Sequence, residues 1–110
     1  MKRKGIYHIS YHDDLMRDLK DPKVAIGYLN TAATDKDHRV FLLAIRDVAE
    51  AWGGMTKLSK ISKVPRITLY KILSKNGNPG IRTLENILNT LGFAFGIMPL
   101  KSNRLRRAAE

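Results

Sequence analysis

The chemistry-bearing residues of this chain gather between Lys57 and Arg82, and their types suit the binding of a polyanion. If Val64, Leu69, Ile72 and Leu73 take the buried side of a short helix near residues 66–74, Arg66, Ile67, Thr68 and Lys71 are left on the other side. An arginine there can pair with O6 and N7 of guanine, and an isoleucine off the apolar face can meet a thymine methyl. Lys57, Lys60, Lys63, Lys75 and Arg82 surround the same unit and suit phosphates. Tyr70 has two readings, packing at the core's edge or reaching a phosphate with its hydroxyl. The competing interpretation of the whole unit is an ordinary helical hairpin with a solvated basic face.

Other constellations fall short. His8 and His12 stand four apart, but a zinc site needs a further ligand and a nearby carboxylate, and the segment has little helix signal. Both read as arm residues. His38 reads as solvated, and Asp35 and Asp37 lack the spacing of a calcium loop. There is no glycine-rich phosphate loop and no serine nucleophile motif. The absence of cysteine excludes a thiol nucleophile, a disulfide scaffold and a cysteine-based zinc site. The expectation is a non-enzyme without cofactor or metal.

Charge distribution supports a polyanionic partner. The chain's 110 residues carry 20 Lys and Arg against 10 Asp and Glu, a net charge of +10. Residues 1–54 hold nine Lys/Arg and eight Asp/Glu, whereas residues 55–100 hold seven Lys/Arg and only Glu85. Residues 101–110 add four Lys/Arg and Glu110. The front half is thus nearly neutral, and the back carries the basic footprint. No apolar run approaches the ~20 residues of a membrane span. Met1 to Gly5 is basic, but no apolar stretch follows as a secretory signal requires. The expected location is the cytoplasm, with no membrane partner.

The elements that must position these residues are mostly helical. Asp13-Asp14 with Leu15 and Leu19 reads as a short helix, its acids at the positive end. Asp21-Pro22 is an N-cap followed by proline at the first helical position, and Val24, Ala25, Tyr28, Leu29 and Ala32 mark the apolar face behind it. Thr34-Asp35 restarts the chain. Phe41, Ala44, Ile45, Val48 and Trp52 recur at helical spacing until Gly53-Gly54 end that run. Thr56 is a candidate cap for a short helix with Leu58 and Ile61, interrupted at Val64-Pro65 because proline disfavours helix at the residue before it. Asn76-Gly77-Asn78-Pro79-Gly80 is a strong turn signal, after which Ile81, Leu84, Ile87, Leu88 and Leu91 share a helical face. Phe93, Phe95 and Ile97 alternate with smaller or more flexible residues, which predicts one strand stopped by Pro99. A lone strand needs a mate, either the same strand of a second copy or Ile6–Tyr11. The expected fold is mainly α: five helices with a C-terminal β-strand pairing across a dimer through Phe93, Phe95 and Ile97. Two short helices joined by a three- or four-residue turn, with supporting helices around them, describe a helix-turn-helix reader of double-stranded DNA.

The run Leu69-Tyr70-Lys71-Ile72-Leu73-Ser74, then Gly77-Asn78-Pro79, Thr83-Leu84 and Leu88 through Leu91-Gly92, resembles the signature of the addiction-module antidote family. Tyr28-Leu29 and Ala51-Trp52-Gly53 sit where that family has further elements. The resemblance spans about residues 15–98. It implies a HigA-like antitoxin with a Cro/repressor-type helix-turn-helix that neutralises a RelE-like toxin encoded beside it and represses their operon. A homodimer is expected on separate grounds, because one module reads only a half-site of operator DNA. Read from the residues, the chain divides into an arm over 1–12, the antitoxin domain over 13–98 with the helix-turn-helix near 56–75, and a basic tail over 99–110, with arm and tail extending beyond the common family core. The chain departs from the family at Lys63, where a glycine is usual between the two helices, at Pro65, where a serine caps the second helix, and at Gly80, where a serine or threonine follows the proline. A stand-alone phage-type repressor and a protein-interaction module without DNA binding are the alternatives.

Overall fold

The computed structural model describes residues 11–109, which contain seven helices and no strand. Helix α1 (Tyr11–Asp18) carries Asp13 and Asp14 in its first turn and Arg17 in its last, the polarity a helix dipole favours. Leu19 follows it and is fully buried. Helix α2 (Pro22–Ala33) begins as the Asp21-Pro22 pair requires, with the Asp21 carboxylate accepting a hydrogen bond from the Lys23 amide at 2.9 Å. Helix α3 (His38–Ala51) is capped the same way by Asp37, which accepts from the Arg39 amide at 3.0 Å. The Arg39 guanidinium grips the same carboxylate at 2.7 Å, and these hydrogen bonds hold the Asp37 carboxyl down at about 2.

Helices α4 (Gly54–Ser62) and α5 (Arg66–Ile72) are the two short elements expected in the back half, and α6 (Ile81–Thr90) follows the Asn76–Gly80 turn. Helix α4 opens at Gly54, not at Thr56, because Gly53 and Gly54 adopt φ of 125° and 90° and turn the chain within two residues. A short helix α7 (Arg104–Ala109) lies in the basic C-terminal segment.

Leu19, Ile45, Val48, Leu69, Leu73 and Ile87 are the large side chains at the centre of the core. They come from one side of each helix, as apolar residues at helical spacing must. Helix α3 packs against α1, α2 and α4, and α4 packs in turn against α5 and α6. Trp52 closes this stack. Its indole nitrogen donates to the Leu19 carbonyl at 2.6 Å, and its ring stacks on Phe93 with centroids 5.4 Å apart. Tyr28 ties α2 to α3, donating from its hydroxyl to Asp47 at 2.6 Å; burial, and then this hydrogen bond, push its ionisation well above the ordinary tyrosine range.

The expected five helices and C-terminal strand are overturned. Residues 93–100 form no strand, and the helix count is seven among the described residues. The reason lies in how Phe93 is used. Its amide donates to the Leu88 carbonyl at 2.8 Å, continuing the end of α6, while its ring packs on Trp52. Beyond it, Phe95 is partly exposed and Ile97 fully exposed, so the alternation has no common buried face. No described segment offers the backbone partner a strand needs. Residues 1–10, including His8 and the alternative mate Ile6–Tyr11 apart from Tyr11, lie outside the described residues. Two smaller departures concern Ile61 and Ile81, expected on apolar faces but 57% and 73% exposed.

Candidate nucleic-acid interface

The α4–α5 pair is joined by Lys63-Val64-Pro65. Lys63 ends α4 with φ 65° and ψ 21°, a left-handed conformation that a side chain disfavours. Its amide donates to the Ser59 carbonyl at 2.9 Å, the bond of a left-handed helix ending. Side chains lock the turn. Ser59 Oγ donates to the Val64 carbonyl at 2.6 Å, and the Val64 amide donates to Ser62 Oγ at 3.3 Å. Asn86 of α6 donates from Nδ2 to the Ser62 carbonyl at 3.0 Å. Ser62 is buried, so these bonds also satisfy polar groups that water reaches poorly. The geometry between α4 and α5 is therefore set by both neighbours.

Helix α5 begins after Pro65, whose side chain supplies no cap. Its hold on the core comes from Leu69 and Leu73, both fully buried, with Val64, Tyr70 and Ile72 partly buried against the core cluster. The opposite side is open. Arg66, Thr68 and Lys71 are exposed, and Ile67 is 82% exposed. A large apolar side chain so placed on a basic face has no packing role in this chain.

The expected contact residues do not all fall in one place. Lys63, Arg66, Ile67, Thr68 and Lys71 come from the turn and the first five to six positions of α5, and Lys75 lies in the turn just past its end. Lys57 sits in the first turn of α4, at the end away from Lys63; its stem lies over Gly53, where an added Cβ would meet Lys57 Cδ at 2.7 Å. Arg82 opens α6, outside the two-helix unit. Lys57, Lys63, Arg66, Lys71, Lys75 and Arg82 have no carboxylate partner among the described residues. Their charge is left for solvent or a ligand. Tyr70 packs partly against the core cluster, and its ring also receives two cations. The guanidinium carbon of Arg66 lies 5.4 Å from the ring centroid, and that of Arg46 lies 4.9 Å away.

Sequence reasoning missed Arg46. It belongs to α3, in the nearly neutral front half, and only the packing of α3 brings it to α5. The neighbouring Asp47 was missed for the same reason, since its bond to Tyr28 joins residues far apart in sequence. The expected dimer residues are likewise not alike: Phe93 belongs with the core cluster, while Ile97 stands free of it.

No helix among the described residues is long and apolar enough to cross a membrane. Among the same residues no group of three or more His, Cys, Asp or Glu side chains could hold a metal ion. An "Uncharacterized protein" of Haemophilus influenzae is 30% identical over 70 residues, which is 64% of this chain and 71% of that protein. No solved structure matches the chain. A family model described as "Probable addiction module antidote protein" matches residues 10–99, an interval that contains helices α1 to α6 and the whole of the basic two-helix unit. The chain belongs to that family of addiction module antidote proteins.

Proposed function

We propose that this antidote is a sequence-specific DNA-binding antitoxin of a type II module, which neutralises a RelE-like toxin and represses its own operon in the cytoplasm. The observation that carries the DNA part is the open face of α5. Arg66, Ile67, Thr68 and Lys71 stand exposed over a buried Leu69 and Leu73, with no carboxylate neutralising Arg66 or Lys71 among the described residues. In this reading α4 and α5 are a helix-turn-helix. Helix α5 enters the major groove, Arg66 reads a guanine, Ile67 meets a thymine methyl, and Lys63, Lys71 and Lys75 hold phosphates. One such unit reads only a half-site, so the active species is a homodimer whose units lie about 34 Å apart on DNA.

A gel shift with the DNA directly upstream of the protein's own reading frame tests this. The expected result is a specific shift that weakens steeply with salt, by about 0.9 in log K per log salt for each phosphate contacted. Arg66→Ala relaxes preference at one base position by ~1–3 kcal/mol, while Lys71→Ala and Lys75→Ala weaken all sequences alike. Absence of any shift at low salt overturns the DNA reading. Co-expression with the product of a neighbouring toxin-like reading frame tests the antitoxin role through recovery of growth. Lack of such a frame favours a stand-alone repressor instead.

A further inference from the structure

Arg46 is an arginine without an ordinary occupation. It is only partly exposed, and no carboxylate pairs with it among the described residues. Its guanidinium faces the ring of Tyr70, which Arg66 also approaches, so the two cationic carbons stand at most about 10 Å apart. Arg66 and Tyr70 are four residues apart on α5 and therefore share one side of that helix. Arg46 reaches the same ring from α3, a helix of the scaffold. Tyr70 is packed partly against the core, which limits how far the ring can swing.

Two like charges on one aromatic platform repel each other, and the ring's negative face offsets that repulsion only in part. A bound anion relieves it. Guanidinium groups bind phosphate through paired, charge-assisted hydrogen bonds, and a restrained side chain loses less freedom on doing so.

We propose that Arg46 is a phosphate-contacting residue of the DNA interface, and that Tyr70 is a positioning residue that holds the Arg46 and Arg66 guanidinium groups in place before DNA arrives. This rests on the DNA-binding reading above and extends it to a residue outside the two-helix unit. It makes α3 part of the contact surface. The ligand group is a phosphodiester of the DNA backbone, so the contribution of Arg46 is independent of sequence.

The test is fluorescence anisotropy with the full chain and labelled DNA from directly upstream of its reading frame, between about 50 and 200 mM salt. Arg46→Gln is expected to reduce the slope of log K against log salt by about 0.9, the loss of one phosphate contact. Arg46→Lys keeps the charge and is expected to keep the slope. Arg17→Gln, which removes an exposed cation already paired with Asp14, leaves the slope at the wild-type value. Tyr70→Leu is expected to narrow the affinity ratio between the upstream DNA and a scrambled duplex, whereas Tyr70→Phe retains it. A role in folding alone would lower the melting temperature without moving the slope. If Arg46→Gln does not fold, Arg46→Met keeps the aliphatic stem and replaces it in the comparison. Steep salt dependence in the wild type with an unchanged slope in a folded Arg46 variant overturns this proposal alone. Failure of the wild type to bind DNA overturns both it and the DNA-binding reading.

Discussion

Replacing Lys63 with glycine should make the protein more stable and, if the turn meets DNA, a weaker binder. The perturbation acts first on the backbone. Lys63 holds φ 65°, a conformation that costs a side-chain-bearing residue roughly 1–2 kcal/mol. Glycine removes that strain but has more freedom to lose on folding, a penalty of about 0.5–1 kcal/mol. The side chain is exposed and makes no hydrogen bond or ion pair with the described residues, so its loss forfeits no packing. The amide that donates to Ser59 is retained. The net expectation is a gain of about 0.5–1 kcal/mol. For a domain of this size that raises the melting temperature by about 2–8 °C. Lys63→Asn should rise too, because asparagine tolerates the left-handed region without glycine's freedom. Lys63→Arg keeps both strain and charge and should not move. Differential scanning calorimetry of the full chain measures all three. An unchanged or lower melting temperature for both Lys63→Gly and Lys63→Asn would refute the argument that this turn is strained. The same two variants should lower the salt slope of DNA binding by about 0.9 if Lys63 neutralises a phosphate.

Three further expectations concern the scaffold. Gly77→Ala should destabilise by about 1–3 kcal/mol or more, read as a shifted urea midpoint, because the added Cβ would lie 1.9 Å from the Ile72 carbonyl oxygen and only backbone movement can relieve it. Tyr28→Phe should lose about 1 kcal/mol, from the hydrogen bond to Asp47. The same phenol ionises later when folded than unfolded, so its contribution is present below about pH 10 and lost above it. Urea titrations at neutral and strongly alkaline pH should show the penalty of Tyr28→Phe shrinking at the higher pH. Asp37 is depressed in the folded protein, so its contribution is present above its ordinary value of 3.8 and lost as pH falls toward about 2. Asp37→Asn keeps a capping side chain on α3 and should flatten the acid limb of a melting-temperature profile; an unaltered limb would show that the Arg39 pairing does not stabilise the fold.

Much of the helical framework was legible because its signals are local. Asp21-Pro22 predicts a capped helix, and the cap is made by the expected carboxylate. Gly53-Gly54 stop α3 because both take positive φ, and the apolar spacing of Ala44, Ile45 and Val48 maps onto buried positions. Leu69 and Leu73 are buried and Ile67 is exposed, as the pattern around Arg66 requires. Apart from the start of α4, which the glycine pair moves from Thr56 to Gly54, the failures are matters of tertiary context. Alternation in Phe93, Phe95 and Ile97 suggests a strand, but Phe93 is claimed by Trp52 and the end of α6. Ile61 and Ile81 fit helical stripes that end before reaching them. Arg46 carries no sequence signal at all, since its neighbour Tyr70 lies 24 positions away and α3 reads as scaffold.

Trp52 has a practical consequence for anyone following this molecule in solution. It is the chain's single tryptophan, so intrinsic emission excited at the indole band has one source. That source is hydrogen-bonded to residue 19 and stacked on residue 93. Its spectrum therefore reports when the two ends of the helical stack close on each other, not when any one helix forms. Far-ultraviolet dichroism reports the helices themselves. Coincidence of the two signals along a denaturant titration would mark a chain that assembles in one step, and separation of them would reveal helices that persist after the ends have parted.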